Sequence, residues 1–232
     1  CQGDGADVWW PVKDHPSDEP DEGVSLHFTA PEDLVVISNG RYLSKDQHDD
    51  GTATHHYEVS TSINTYNVTF NAGPFRKIEQ PFRSVSGKTF PITYWVLPEN
   101  YSEAKVIFPQ IVEAYHFQEK ISGPYPFQGD KAAIVDTPYW GMEHQTALAY
   151  AFPMARKGER FEVTVINAWH KILFHEIAHE WGGNMVSASD HRDLWLQEGI
   201  NLYTVALYIE NRWGISAYHE HIAGLREWAA EG

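Results

Sequence analysis

A single cysteine, Cys1, stands in the whole chain, so no internal disulfide can form and the redox compartment is unreadable from sequence. Positive charge is scarce as well. The 17 Lys and Arg face 32 Asp and Glu, for a net charge of -15. That balance argues against nucleic acid and anionic membranes as partners, since both are held through basic patches. The acid excess suits a cationic substrate group such as a peptide α-ammonium, and equally suits a surface that only keeps the protein in solution. No apolar run approaches the roughly 20 residues of a membrane-spanning helix, and no signal peptide, internal repeat or low-complexity tract is recognisable. The chain opens on Cys1-Gln2-Gly3-Asp4-Gly5 without a Met, as an excised piece would, so localisation and oligomeric state stay open.

What is present is enough for a core: 42% of the 232 residues are apolar, a length that allows one large domain or two small ones. Residues 1 to about 98 read as β. Val24, Leu26 and Phe28 alternate with Ser25, His27 and Thr29, the period of a half-buried strand. Leu34 to Ile37 runs into Asn39-Gly40, a dipeptide that predicts a hairpin, and Asp49-Asp50-Gly51 marks a second turn before Thr52 to Ser60. Tyr66 to Phe70 and Ile92 to Val96 read as further strands. After Pro98 the period changes. Ser102 to Ile121 is helical in pattern, although Pro109 interrupts it, and Ala132 to Val135 reads as a strand. Two more helices are expected, at about Ala168 to Trp181, ended by Gly182-Gly183, and at Gly199 to Arg212 with Leu202, Val205, Ala206 and Ile209 on its apolar face. The fold expected is α+β: a β-sandwich-like portion over 1–98, then an α+β domain over 99–232. Asn67-Val68-Thr69 and Asn100-Tyr101-Ser102 fit the short glycosylation sequon.

The strongest motif is His175-Glu176-Ile177-Ala178-His179. Histidines at i and i+4 lie on one helical face, one turn apart, where both imidazoles reach one zinc ion. The intervening Glu176 then reaches a water at that ion and can act as general base. Eighteen residues separate His179 from Glu198, which sits within Leu194-Trp195-Leu196-Gln197-Glu198-Gly199 and offers a third ligand. Two histidines and one carboxylate leave a fourth tetrahedral position open, the catalytic rather than the structural arrangement. A solvated helix could carry the same pattern by chance, but Phe174, Ile177, Ala178 and Trp181 flank it and predict burial, where His and Glu need partners. Trp181 and Trp195 read as core residues.

These motifs coincide with a family. Gly141-Met142-Glu143-His144, then His175 through Asn184, then Asp193-Leu194-Trp195-Leu196-Gln197-Glu198-Gly199, resemble the gluzincin aminopeptidases related to alanyl aminopeptidase, puromycin-sensitive aminopeptidase and leukotriene hydrolase. Upstream, Trp9 through Asp18 and Ser38-Asn39-Gly40 resemble that family's N-terminal β domain, so the resemblance covers essentially the whole chain. It implies a thermolysin-like catalytic domain with one zinc ion per chain, held by His175, His179 and Glu198, with Glu176 as base. Its substrates would be peptides with a free N-terminus. Glu143 would bind the α-amine, Gly141 and Met142 would lie on an edge strand where the substrate backbone adds, and Gln2 would contact the substrate N-terminus.

Two departures stand out. His144 replaces the asparagine of the G-x-M-E-N pattern, which puts the match of the first substrate pocket in doubt. The family also carries an oxyanion-stabilising tyrosine well beyond the third ligand. Tyr203, Tyr208 and Tyr218 do not lie at that distance, so it is expected past Gly232, together with a helical domain, in a chain that is then truncated. Two other readings remain. A thermolysin-like zinc endopeptidase would share the zinc helix without needing Glu143 or Gln2. A non-catalytic binding module on the same scaffold would typically have lost a ligand or the base, and all four residues are present here.

Overall fold

The computed structural model describes residues 5–151 and 166–231. In its first part, β1 (Val24–Pro31), β4 (Thr52–Val59) and β3 (Arg41–Gln47) form an antiparallel sheet in the order β1-β4-β3, while β2 (Val35–Ser38) pairs with β5 (Phe70–Gly73). Every second residue of β4 is buried, as the alternation of its apolar side chains dictates, and Leu26, Tyr57, Val59, Ile63 and Val68 pack as the core beneath.

The second part is built on a mixed sheet in the order β6-β7-β8-β10-β9. A hairpin of β6 (Arg76–Arg83) and β7 (Thr89–Val96) leads into α1 (Tyr101–Ser122). The chain returns as β8 (Ala132–Asp136), parallel to β7, then β9 (Gly141–Met142) and β10 (Leu148–Tyr150). Helices α2 (Ile166–His179), α3 (Trp195–Trp213) and α4 (Ile215–Glu231) follow. Aromatic rings knit the helices together and to the sheet: Phe174 stacks on Tyr208 at 4.2 Å, Tyr115, Tyr125 and Trp181 meet edge to face or tilted, and Phe82 of β6 meets Tyr115 edge to face. Among the described residues no helix is long and apolar enough to cross a membrane.

Several expectations are corrected. The division expected at residue 98 runs through one hydrogen-bonded sheet, since β6 and β7 precede it and β8 to β10 follow. Asn39-Gly40 joins two strands that do not pair with each other, so it is not a hairpin turn. Gly40 has φ +69, and a Cβ there would collide with the Glu58 carbonyl, while the Asn39 amide donates to Asn67 O at 2.9 Å and Gln145 O at 2.6 Å. The dipeptide is therefore a buried clamp. Tyr66 does not begin a strand: Thr65–Asn67 is a 3-10 turn whose Tyr66 N–H donates to Asn64 Oδ1. Asn67 is fully buried, which removes it as a glycosylation acceptor. Pro109 does not break α1, because it lies on the exposed side while Ile107, Phe108, Ile111 and Val112 pack on the other. Trp181 is buried as expected, but Trp195 is 64% exposed.

Candidate active site

Helix α2 puts His175 and His179 one turn apart, with their Nε2 atoms 3.0 Å from each other. The first turn of α3 brings Glu198 across, its Oε2 3.2 Å from His175 Nε2 and 3.7 Å from His179 Nε2. A tetrahedron with arms of 2.0–2.2 Å, the zinc–nitrogen and zinc–oxygen lengths, has edges of about 3.3–3.6 Å, and the three separations bracket that range. Two imidazoles and a carboxylate so disposed could enclose one zinc ion and leave a position open.

The imidazole of His179 is braced from behind. Its Nδ1 lies 3.0 Å from the Gly182 carbonyl, to which Asn201 Nδ2 also donates at 2.6 Å; in the tautomer with the proton on Nδ1 that carbonyl accepts it, and Nε2 carries the lone pair a metal would take. A Cβ on Gly183, at φ +138, would fall 2.8 Å from that Nδ1, so the Gly-Gly pair lets backbone close under the ring besides ending α2. The carboxylate and imidazoles also polarise one another. Hydrogen bonds from His175 and then His179 hold Glu198 well below the usual carboxylate range. Burial pulls His179 down, but the Glu198 carboxylate and its acidic neighbours more than reverse this and raise it to about 9.

Glu176 is 7% exposed, and its Oε2 has no hydrogen-bond partner among the described residues. Burial, with Glu143 and Glu198 adding to it against His179, raises its carboxyl to about 8. Glu143, Glu176 and His179 each offer a ligand atom within 4.8 Å of the others'. Glu143, itself buried, is thus brought beside Glu176 and His179. It directly follows β9, which pairs only with β10 among the described strands and forms the sheet edge beside α2, with Gly141 against Glu176 and Met142 buried. His144 is also buried and is lowered to about 3 by that burial. Gln2 lies outside the described residues.

Three positions carry weight that sequence reasoning did not assign. Asn184 donates to the Glu143 carbonyl at 2.9 Å and accepts from Asn67 at 2.8 Å. Asn201 stands one turn after Glu198 on the same helix, a spacing that could have marked it as a brace for the triad. Tyr66 donates to Glu143 Oε1 at 3.0 Å from 77 residues away, and nothing local signals it.

Residues 110–228, about half of the chain, match the peptidase family M1 domain. Endoplasmic reticulum aminopeptidase 1 of Mus musculus is 25% identical over 174 residues, which are 71% of this chain and 18% of that protein. Transcription initiation factor TFIID subunit 2 of Danio rerio is 23% identical over 200 residues, 85% of this chain and 16% of that one. The chain thus spans less than a fifth of the length of these relatives. The M1 zinc metallopeptidase of Deinococcus radiodurans superposes with a TM-score of 0.72 at 19% identity, over 96% of this chain and 47% of that one. It shares the fold, and a mutant of it is also solved with a Tyr-Ser-Ala substrate.

Proposed function

The chain belongs to peptidase family M1, and from that premise we propose that it carries the catalytic core of a zinc-dependent aminopeptidase, which removes N-terminal residues from peptides. His175, His179 and Glu198 hold the metal, one ion per chain. When bound there, zinc supplies a Lewis acid for the scissile carbonyl and lowers the pKa of water. Glu176 takes a proton from the attacking water and passes it to the leaving amine nitrogen, so one carboxylate is base and then acid. Its burial favours the protonated form, and a nearby dication reverses that preference, which suits a group that must be ionised to begin and protonated midway.

The observation that carries the reading as an aminopeptidase is the convergence of Glu143 on Glu176 and His179, within 4.8 Å. A carboxylate this close to the base leaves room for one residue between the amine it holds and the bond to be cut. A longer N-terminal chain would run into it. The edge that β9 leaves unpaired among the described strands accepts the substrate backbone as an added strand, with Gly141 and Met142 lining it.

The second reading, a binding module without catalysis, is favoured by one observation: a relative named as a transcription initiation factor subunit is similar in sequence over 85% of this chain. The retained base and three ligands count against it here. The experiment is metal analysis beside a panel of aminoacyl-anilides and their N-acetylated forms. One zinc per chain with turnover of the free-amine forms alone supports the aminopeptidase. Turnover of both forms makes it an endopeptidase, and zinc without turnover makes it a binding module.

A further inference from the structure

Glu143 is held at both ends by consecutive residues of one turn. The phenol of Tyr66 donates to its Oε1 at 3.0 Å. The amide of Asn67 donates to Asn184 Oδ1 at 2.8 Å, and Asn184 in turn donates to the Glu143 carbonyl at 2.9 Å. The turn that carries both, Thr65–Asn67, is itself fastened: Asn64 Oδ1 caps it, Asn64 Nδ2 donates to Pro16 O at 2.6 Å, and Thr65 Oγ1 donates to Lys13 O at 3.3 Å. Side chain and backbone of one acidic residue, just past the end of β9, are therefore registered against the β portion of the molecule.

From this geometry we infer that Tyr66 is a positioning residue that aims the Glu143 carboxylate at the substrate amine, an inference that rests on the role given to Glu143 above. The phenol engages one carboxylate oxygen and leaves the other for the ammonium. The bond ties the rotamer of the carboxylate to a phenol that is itself held in place. Burial first, and the Glu143 charge second, raise the Tyr66 phenol far above its ordinary range, so it is a donor throughout the working pH range. Without it, a long flexible Glu side chain must order itself each time an amine arrives, and binding weakens by that entropy.

The test uses Tyr66→Phe, Glu143→Gln and the double variant, each checked for zinc content and thermal midpoint. L-alaninol, a free-amine ligand with neither a carboxylate nor an amide bond to cut, is titrated into zinc-loaded and zinc-stripped protein. Tyr66→Phe is expected to weaken it about tenfold in both, as loss of one charge-assisted hydrogen bond does. KM for aminoacyl-anilides should rise in step while kcat stays within about threefold. The double variant should bind no more weakly than Glu143→Gln alone, because the phenol acts through that carboxylate. Binding unchanged in Tyr66→Phe, with Glu143→Gln weakened, overturns the inference and leaves the role of Glu143 standing. Independent, additive losses in the double variant also overturn it. No effect of Glu143→Gln removes the role of Glu143, and the inference falls with it.

Discussion

Gly141 closes over the carboxylate of Glu176: a methyl group on it would collide with Oε1 and stand 2.8 Å from Cδ. The glycine is thus a steric requirement of the Glu176 carboxylate on the neighbouring helix. Gly141→Ala should push the Glu176 carboxylate aside while leaving the three proposed ligands, His175, His179 and Glu198, untouched. A displacement on the order of 1 Å at a catalytic group costs about a hundredfold in rate. We expect such a loss in turnover per bound zinc, with zinc content and thermal midpoint near those of the wild type. Loss of zinc in parallel would show that the glycine serves the metal site instead.

Glu176 itself reaches the triad without belonging to it. Glu176→Gln keeps the shape and should keep the metal, while turnover falls by about 10²–10⁴, the usual contribution of a general base. His175→Ala and Glu198→Ala should instead lose zinc, each removing one of three donors. Metal analysis and turnover on the same samples separate the two classes. Near-normal activity in Glu176→Gln would sink its assignment as base.

Glu143→Ala should discriminate between substrates. A charge-assisted hydrogen bond contributes roughly 1.5–3 kcal/mol, so free-amine substrates should lose at least about tenfold in kcat/KM. Blocked peptides have no ammonium to lose and should change far less. Equal losses on both would mean that Glu143 supports the strand and not the amine.

The helix period and an 18-residue gap made His175, Glu176, His179 and Glu198 legible in sequence, because ligand spacing on one helix is a local property. The environment of Glu143 was not. Its grip comes from Tyr66 and Asn67, and the neighbouring loop is held by Asn39 through Gln145 O across 106 residues. Contacts of that range leave no periodic trace. The same gap explains the errors. Asn39-Gly40 has hairpin chemistry, and tertiary contacts turned it into a clamp. Tyr66 has strand propensity, but Asn64 offers its backbone N–H a cap that a sheet partner does not. Trp195 has a core composition yet lies exposed at the start of α3, where pattern alone cannot tell which face the rest of the molecule covers.

His144 is the position where this chain departs from the expected asparagine, and its burial gives the departure a pH signature. Burial lowers its folded-state value from 6.5 to about 3, and its Nδ1 has no hydrogen-bond partner among the described residues. The unfolded chain therefore takes up a proton as pH falls through 6.5, while the folded chain does not until about 3. Between those values the unfolded state binds more protons, so stability drops as pH drops. Over pH 7 to 5 the contribution of this one residue is about 2 kcal/mol. His144→Asn cannot titrate, and should lose less stability than the wild type across that interval by up to about that amount. Urea midpoints at pH 7, 6 and 5 measure it. Parallel pH profiles for the two proteins would mean that His144 finds a proton partner in the folded state, and that the histidine is tolerated for a reason other than being kept neutral.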